Sequence, residues 1–172
     1  MMIVGGIGGA NTQTGIKFEK DTDLKEALLT KEGVKIKGSE VSFNGELIGY
    51  ILQKHDLYKH FLEVNSVDWK AIVSKKLLPD DAFFSIKSNT LIIIEKKFQQ
   101  VAGSVDEKLQ TCGFKKRQYE RLCNPLKNVK VEYVYVLNDW FKQTGYKDVL
   151  EYIEEVGCRY YFKVLPLELL DI

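Results

Sequence analysis

The sequence predicts an α/β fold, a single domain with a mixed central β-sheet flanked by helices. Three observations lead to it. The strongest apolar runs, Leu91–Ile94 and Val129–Leu137, are short, β-branched and bounded by turn residues, as buried strands are. Between and after them, Val105, Leu109, Cys112, Tyr119 and Leu122, then Tyr146, Val149, Leu150 and Ile153, recur at helical spacing. Strands alternating with helices in this way belong to α/β proteins. Finally, no repeat, linker or low-complexity tract divides the 172 residues, a length near the usual size of one domain.

From the N-terminus, residues 1–10 read as a flexible leader. Gly5 to Ala10 is glycine-rich, but no adequate strand precedes it, as a phosphate-cradling loop would require. Asn11 to Gly15 carries turn and capping chemistry. Ile16 onward reads as helical to about Thr30, with a capping box at Asp23 and Glu26 and a break near Asp21. Residues 33–52 form a small β-meander. Val34 to Lys37 alternates, Glu40 to Phe43 leads into Asn44-Gly45, and Glu46 to Leu52 follows. Asn-Gly between two such runs is a strong hairpin signal, because both turn positions need positive φ. The meander is either structural or an arm that contacts DNA. Two short helices are expected over 55–65 and 67–76, the first burying Leu57, Phe61 and Val64, the second Trp69, Ile72 and Val73. His55 and His60, five apart, are wrongly spaced for adjacent metal ligands on one helix face.

The stretch from Leu78 to Leu109 organises the chain. Asp80 to Ile86 is a strand entered through Pro79, Ser88-Asn89 is a turn, and Leu91 to Ile94 begins the next strand. Side chains alternate along a strand, so Glu95, Lys97 and Gln99 share one face where the apolar strand becomes polar. Two adjacent strands thus bring acids to one neighbourhood. Asp81 competes with Asp80, since a shift of one residue would turn it inward instead.

Beyond the strands, Ser104 and Glu107 form a capping box for a long helix that ends at Asn124-Pro125. Lys108, Lys115, Lys116, Arg117 and Arg121 crowd its open side, either an ordinary solvated face or a surface suited to tracking phosphates. Val129–Leu137 is a strand with Asn138-Asp139 as its exit. Tyr146 to Ile153 is a helix with Gly157 as its C-cap, Cys158–Val164 is a final strand, and Leu167–Ile172 is a tail.

Composition narrows the class. Net charge is +1, so a nucleic-acid partner must be held by a local basic surface. No apolar run approaches the roughly 20 residues that span a bilayer. The start Met1-Met2-Ile3-Val4 lacks the basic segment of a signal peptide. No membrane association and a cytoplasmic location are expected. Cys112, Cys123 and Cys158 are odd in number and not closely paired, which fits buried thiols in a reducing compartment.

Pro79-Asp80, followed after a hairpin by Glu95-Lys96-Lys97, resembles the signature of the PD-(D/E)XK nuclease superfamily, which includes most type II restriction endonucleases. Gly8 to Glu19 and Glu95 to Leu109 are also similar to segments of a bacterial and phage restriction-endonuclease-like group. The resemblance implies a restriction-endonuclease-like fold with an αβββαβ core. It further implies a Mg²⁺-dependent, sequence-specific endonuclease acting on double-stranded DNA, with Mn²⁺ as substitute. Asp80, Glu95 and the backbone carbonyl of Lys96 would hold the metal. Lys97 would hold the attacking water or offset developing charge, and Gln99 would orient substrate or water. Glu19, by its type a solvated helix carboxylate, becomes a candidate for the same centre because first-helix glutamates in this superfamily often face the metal site. A palindromic site would suit a homodimer, and a cognate DNA methyltransferase encoded nearby would be its companion. Three other readings compete. They are a structure-selective repair or recombination nuclease, a catalytically silent DNA-binding module, and a salt-bridged strand end in which Lys96 and Lys97 merely neutralise Asp80, Asp81 and Glu95.

Overall fold

The structure is a computed structural model that describes residues 15–103 and 105–172. Its centre is a mixed seven-stranded sheet with helices on both faces, in the order β2-β3-β4-β5-β6-β7-β8. The strands are β2 (Val34–Lys37), β3 (Glu40–Phe43), β4 (Glu46–Ile51), β5 (Asp81–Ser85), β6 (Thr90–Lys97), β7 (Lys130–Leu137) and β8 (Arg159–Phe162). Neighbours are antiparallel from β2 to β6, and β6, β7 and β8 run parallel. Parallel pairs need crossovers, and two helices supply them, α4 (Cys112–Cys123) between β6 and β7 and α5 (Lys147–Glu155) between β7 and β8.

Side-chain alternation divides the core in two. Leu91, Ile93, Tyr133 and Tyr135 pack with Tyr119, Leu122, Leu150 and Ile153 beneath α4 and α5. Ile92, Ile94, Val134 and Val136 pack on the other face with helix α1 (Leu24–Leu29) and with residues near both ends of the described chain. The expected Asn44-Gly45 turn forms, with φ of 50° and 85°. The meander over 33–52 is not an appendage: β4 pairs with β5, so these three strands extend the central sheet to its edge.

Several expected elements differ. The helix read over Ile16 to Thr30 is only Leu24–Leu29, capped by the expected Asp23–Glu26 box. Before it lies strand β1 (Gly15–Lys17), paired antiparallel with β9 (Val164–Pro166). Ile16 and Phe18 are buried while Lys17 and Glu19 are exposed, a period of two rather than 3.6. The final strand breaks at Lys163, with φ of 58°, and its remainder becomes β9. The pair of helices read over 55–76 is a helical segment, wide at Tyr58–Leu62 and tight at Glu63–Asn65, and then α2 (Trp69–Ile72). The long basic helix is likewise two pieces, α3 (Val105–Lys108) and α4, joined by a tight turn at Leu109–Thr111. The leader 1–10, residues 11–14 and the Ser104 cap fall outside the described residues.

Candidate functional site

The two strands meet as their sequence suggests. Asp80 stands at the entry to β5, and its Oδ2 accepts from the backbone N–H of Lys96 at 3.1 Å. Glu95 and Lys97 project from the end of β6 on the same face. Lys97 Nζ lies 3.2 Å from Glu95 Oε2 and 4.0 Å from Asp80 Oδ2. One ammonium therefore bridges two carboxylates supplied by adjacent strands.

These groups sit in different surroundings. The Asp80 side chain is 48% exposed, whereas that of Glu95 is 6% exposed. Burial pushes the Glu95 carboxyl above the ordinary range and the charge of Asp80 adds to this, while Lys97 and Lys115 act against it. Tyr119 and Tyr133 of the core below are held as neutral phenols, first by burial and then by the charge of Glu95. The floor of the site is thus aromatic and buried, a setting in which a fixed charge acts more strongly than in water.

Asp81 points to the opposite face. Its Oδ1 accepts from Gln53 Nε2 at 2.5 Å and its Oδ2 from the N–H of Leu24 at 3.2 Å, beneath the start of α1. Strand alternation decides between the neighbouring acids, and Asp80 is the one beside Glu95. Lys96 also turns to that far face, where Nζ donates to the carbonyls of Glu19 at 3.1 Å and Thr22 at 2.6 Å. The Glu19 carboxylate instead pairs with Lys17 at 2.9 Å, and this contact lowers its pKa. Among the described residues no ion pair or hydrogen bond joins Glu19 to Asp80, Glu95 or Lys97.

Gln99 is brought to the site's edge. β6 ends at Lys97, but Asn138 extends the pairing as a backbone would: its Oδ1 accepts from Gln99 N at 3.2 Å and its Nδ2 donates to Gln99 O at 2.6 Å. Of the basic residues expected on α3 and α4, Lys115 has a charge that reaches Glu95. Lys116 pairs with Glu120 at 3.0 Å. Arg121 braces α4 against α2, donating to the Ile72 carbonyl at 2.5 Å and to Gln118 Oε1 at 2.9 Å. Arg117 is exposed and lines a groove with Ile72, Arg121 and Pro125, and Lys108 is exposed on α3.

Asn138, which stands just beyond β7 and holds the Gln99 backbone, carried no functional signal in the residue pattern. The carboxyl ends of parallel strands are where open α/β sheets gather functional groups, and that rule could have found it.

Among the described residues no three His, Cys, Asp or Glu side chains form a ready-made metal cage. The donor set is two carboxylates, which fits a Mg²⁺ ion that keeps several waters and shares a phosphate of its substrate. Among the described residues no helix is long and apolar enough to cross a membrane. No protein-family model, curated protein or solved structure matches this chain.

Proposed function

We propose that the chain is a metal-dependent endonuclease that cleaves duplex DNA site-specifically, built on the restriction-endonuclease-like plan of the PD-(D/E)XK superfamily. The observation that carries this reading is the meeting of Asp80, Glu95 and Lys97, with one ammonium 3.2 Å and 4.0 Å from two carboxylate oxygens. With β2, β3, α2, α3 and the short helical turns set aside, α1, β4, β5, β6, α4 and β7 give the order αβββαβ, which supports it, with the acids at the β5 entry and the β6 end.

Hydrolysis of a phosphodiester joins a water oxygen to phosphorus and breaks the bond to the leaving sugar oxygen. The leaving oxygen gains a proton and the water gives one up to solvent. A bound Mg²⁺ would stabilise charge on the phosphate and ease that deprotonation. Asp80 and Glu95 would hold it, with the Lys96 carbonyl as the third protein donor. Lys97 Nζ, fixed by Glu95, would hold the attacking water against phosphorus and offset the charge that builds on the phosphate oxygens. Lys115 and Arg117 would take neighbouring phosphates. A homodimer would present two such centres to a palindrome.

The test is digestion of a supercoiled plasmid by purified protein with Mg²⁺, followed by sequencing of the ends. Discrete fragments sharing one short end sequence, lost in chelator and restored by Mg²⁺ or Mn²⁺, are expected. Undiminished cutting in chelator removes the metal mechanism. A smear, or preference for branched over linear duplex, replaces site-specific cleavage with a structure-selective repair activity. Binding without cutting under any divalent ion leaves a DNA-binding module.

A further inference from the structure

Lys70 lies in α2, and Lys75 and Lys76 follow in the segment that leads to Asp80. Elsewhere Lys17, Lys116, Lys142, Lys147 and Lys163 each meet a carboxylate, at 2.9 to 3.8 Å. Among the described residues no carboxylate forms an ion pair with Lys70, Lys75 or Lys76. The Glu63 carboxylate accepts from Trp69 Nε1 at 3.3 Å instead. Packing holds two of the three ammoniums. Lys76 Nζ stands 4.6 Å from the Trp69 ring centre and 4.8 Å from that of Tyr58, and Lys70 Nζ stands 5.7 Å from the Trp69 ring centre. The rings beneath are anchored, since Tyr58 Oη accepts from the N–H of Leu77 at 3.0 Å and donates to its carbonyl at 2.9 Å. An ammonium over a ring keeps N–H donors for an anion. Two ammoniums at one indole repel each other, and an anion between them removes that repulsion.

These lysines lie on the side of the sheet that carries the candidate centre. Trp69 and Ile72 pack against the cluster that holds Ile93, Tyr58, Tyr119 and Tyr133. Glu95 and Lys97 follow Ile93 on the same face of β6. Arg121 of α4 donates to the Ile72 carbonyl, so the two helices are joined directly. Arg117 lines the same groove as Ile72, and the carboxylate there, Glu120, is taken by Lys116 at 3.0 Å. Lys76 precedes Asp80 by four residues, so their Cα atoms lie at most about 14 Å apart. That is about four nucleotide steps along one DNA strand, at about 3.4 Å each.

We propose that Lys70, Lys75 and Lys76 form, with Arg117 across the groove, a ridge that binds the phosphates of duplex DNA beside the cleavage centre. The proposal rests on the nuclease reading above for its ligand. It extends the contact surface from α4 to α2 and to the segment entering β5. Each ammonium meets a phosphate oxygen as a point charge, so the ridge supplies affinity and register and reads no bases.

The experiment is binding of the full chain to a labelled linear duplex in Ca²⁺ across a range of salt, beside thermal melting and plasmid cleavage in Mg²⁺. One variant combines Lys70→Gln, Lys75→Gln and Lys76→Gln, which removes charge but keeps most of each stem. A control combines Lys25→Gln, Lys87→Gln and Lys130→Gln, an equal charge change on exposed residues. Lys25 is on α1, and Lys87 and Lys130 sit by the start of β6 and β7, at the opposite end from Glu95. The ridge variant should bind about tenfold or more weakly, with its salt slope flattened by up to about three units. The control should bind within about twofold of wild type, because distant exposed charges are screened. Should loss of the ring contacts lower the melting temperature of the ridge variant, Lys75→Gln alone should still flatten the slope by up to about one unit. Equal losses in the ridge variant and the control assign the effect to overall charge and overturn the proposal. An unchanged slope and normal cutting by the ridge variant overturn it and leave the nuclease reading standing. Ridge-dependent binding by a chain that cuts no DNA upholds the ridge and removes the nuclease reading. A wild-type chain that binds no duplex overturns both.

Discussion

Asp80 and Asp81 are adjacent in the chain and work on opposite faces of the sheet. Asp80 Oδ2 lies 4.0 Å from the Lys97 ammonium, whereas Asp81 accepts from Gln53 and from the N–H of Leu24 under α1. Asp80→Asn should therefore abolish metal-dependent cleavage with little change in melting temperature, and Asp81→Asn should leave cleavage intact. Plasmid digestion and melting of both proteins check this. Equal loss of cleavage in the two variants would show that the faces are not functionally separate.

Asp81 also gives the fold a pH dependence. Burial, partly offset by Gln53 and the Leu24 amide, pushes its carboxyl up to about 6, above the roughly 3.9 of an unfolded chain. Protonated Asp81 thus contributes stability that is fully present below about pH 4 and is lost as pH rises through about 6, on the order of 3 kcal/mol. Asparagine at 81 is neutral throughout. The melting temperature of Asp81→Asn relative to wild type should climb from pH 4 to pH 7. A constant offset across that range contradicts the assignment.

Lys97→Ala separates chemistry from structure. If Lys97 only neutralises a buried strand end, leaving Glu95 alone should cost about 3–5 kcal/mol. Glu95 already has its pKa raised by burial, so losing Lys97 drives it toward the neutral acid instead of stranding a charge. The expected outcome is a loss of stability smaller than that, with DNA binding in Ca²⁺ retained. Cleavage should fall by at least about 100-fold, the scale of losing one electrostatic stabiliser. Normal melting, binding and cutting together would end the case for this centre.

The basic residues of α4 should not behave alike. Lys115→Ala and Arg117→Ala should weaken binding broadly and flatten the salt dependence by up to about one unit per lost phosphate contact. Lys116 is paired with Glu120, and its alanine variant should change binding little. Arg121→Ala should instead lower stability, because it frees the Ile72 carbonyl and Gln118 Oε1. Anisotropy titrations at several salt concentrations, with melting curves, distinguish the classes. Identical salt slopes for all four variants would refute the division.

Gly49 tests how the meander joins the sheet. A Cβ there would run into the Phe84 carbonyl and the Phe83 ring on β5, and the backbone carbonyl cannot swing aside as a side-chain tip can. Gly49→Ala should destabilise by about 1–3 kcal/mol, the usual cost of overpacking. An unchanged melting temperature would mean that β4 and β5 are less tightly paired than the structure has them.

Turns, caps and the face shared by Glu95, Lys97 and Gln99 follow from neighbours in the sequence. Asn44-Gly45 makes its turn because both positions accept positive φ, and the Asp23–Glu26 box caps its helix because those groups lie three residues apart. Glu95, Lys97 and Gln99 share a side because strands alternate. Contacts between distant segments were decided only in the tertiary structure. Ile16 and Phe18 could pattern as a helix until β9, near the other end of the chain, offered β1 its hydrogen bonds. Asp80 or Asp81 remained open because a strand's phase is set by its pairing, and Asp81 lies opposite Ile94 on the α1 face. The chain from Trp140 through Tyr146 and Asp106 to Gln99 had no sequence signal, since its members come from separate turns and helices that meet only when β6, α3 and the segment after β7 pack together. Backbone periodicity is a property of neighbours in the chain, whereas hydrogen-bond partners in a site are supplied by whichever segments the core brings within reach.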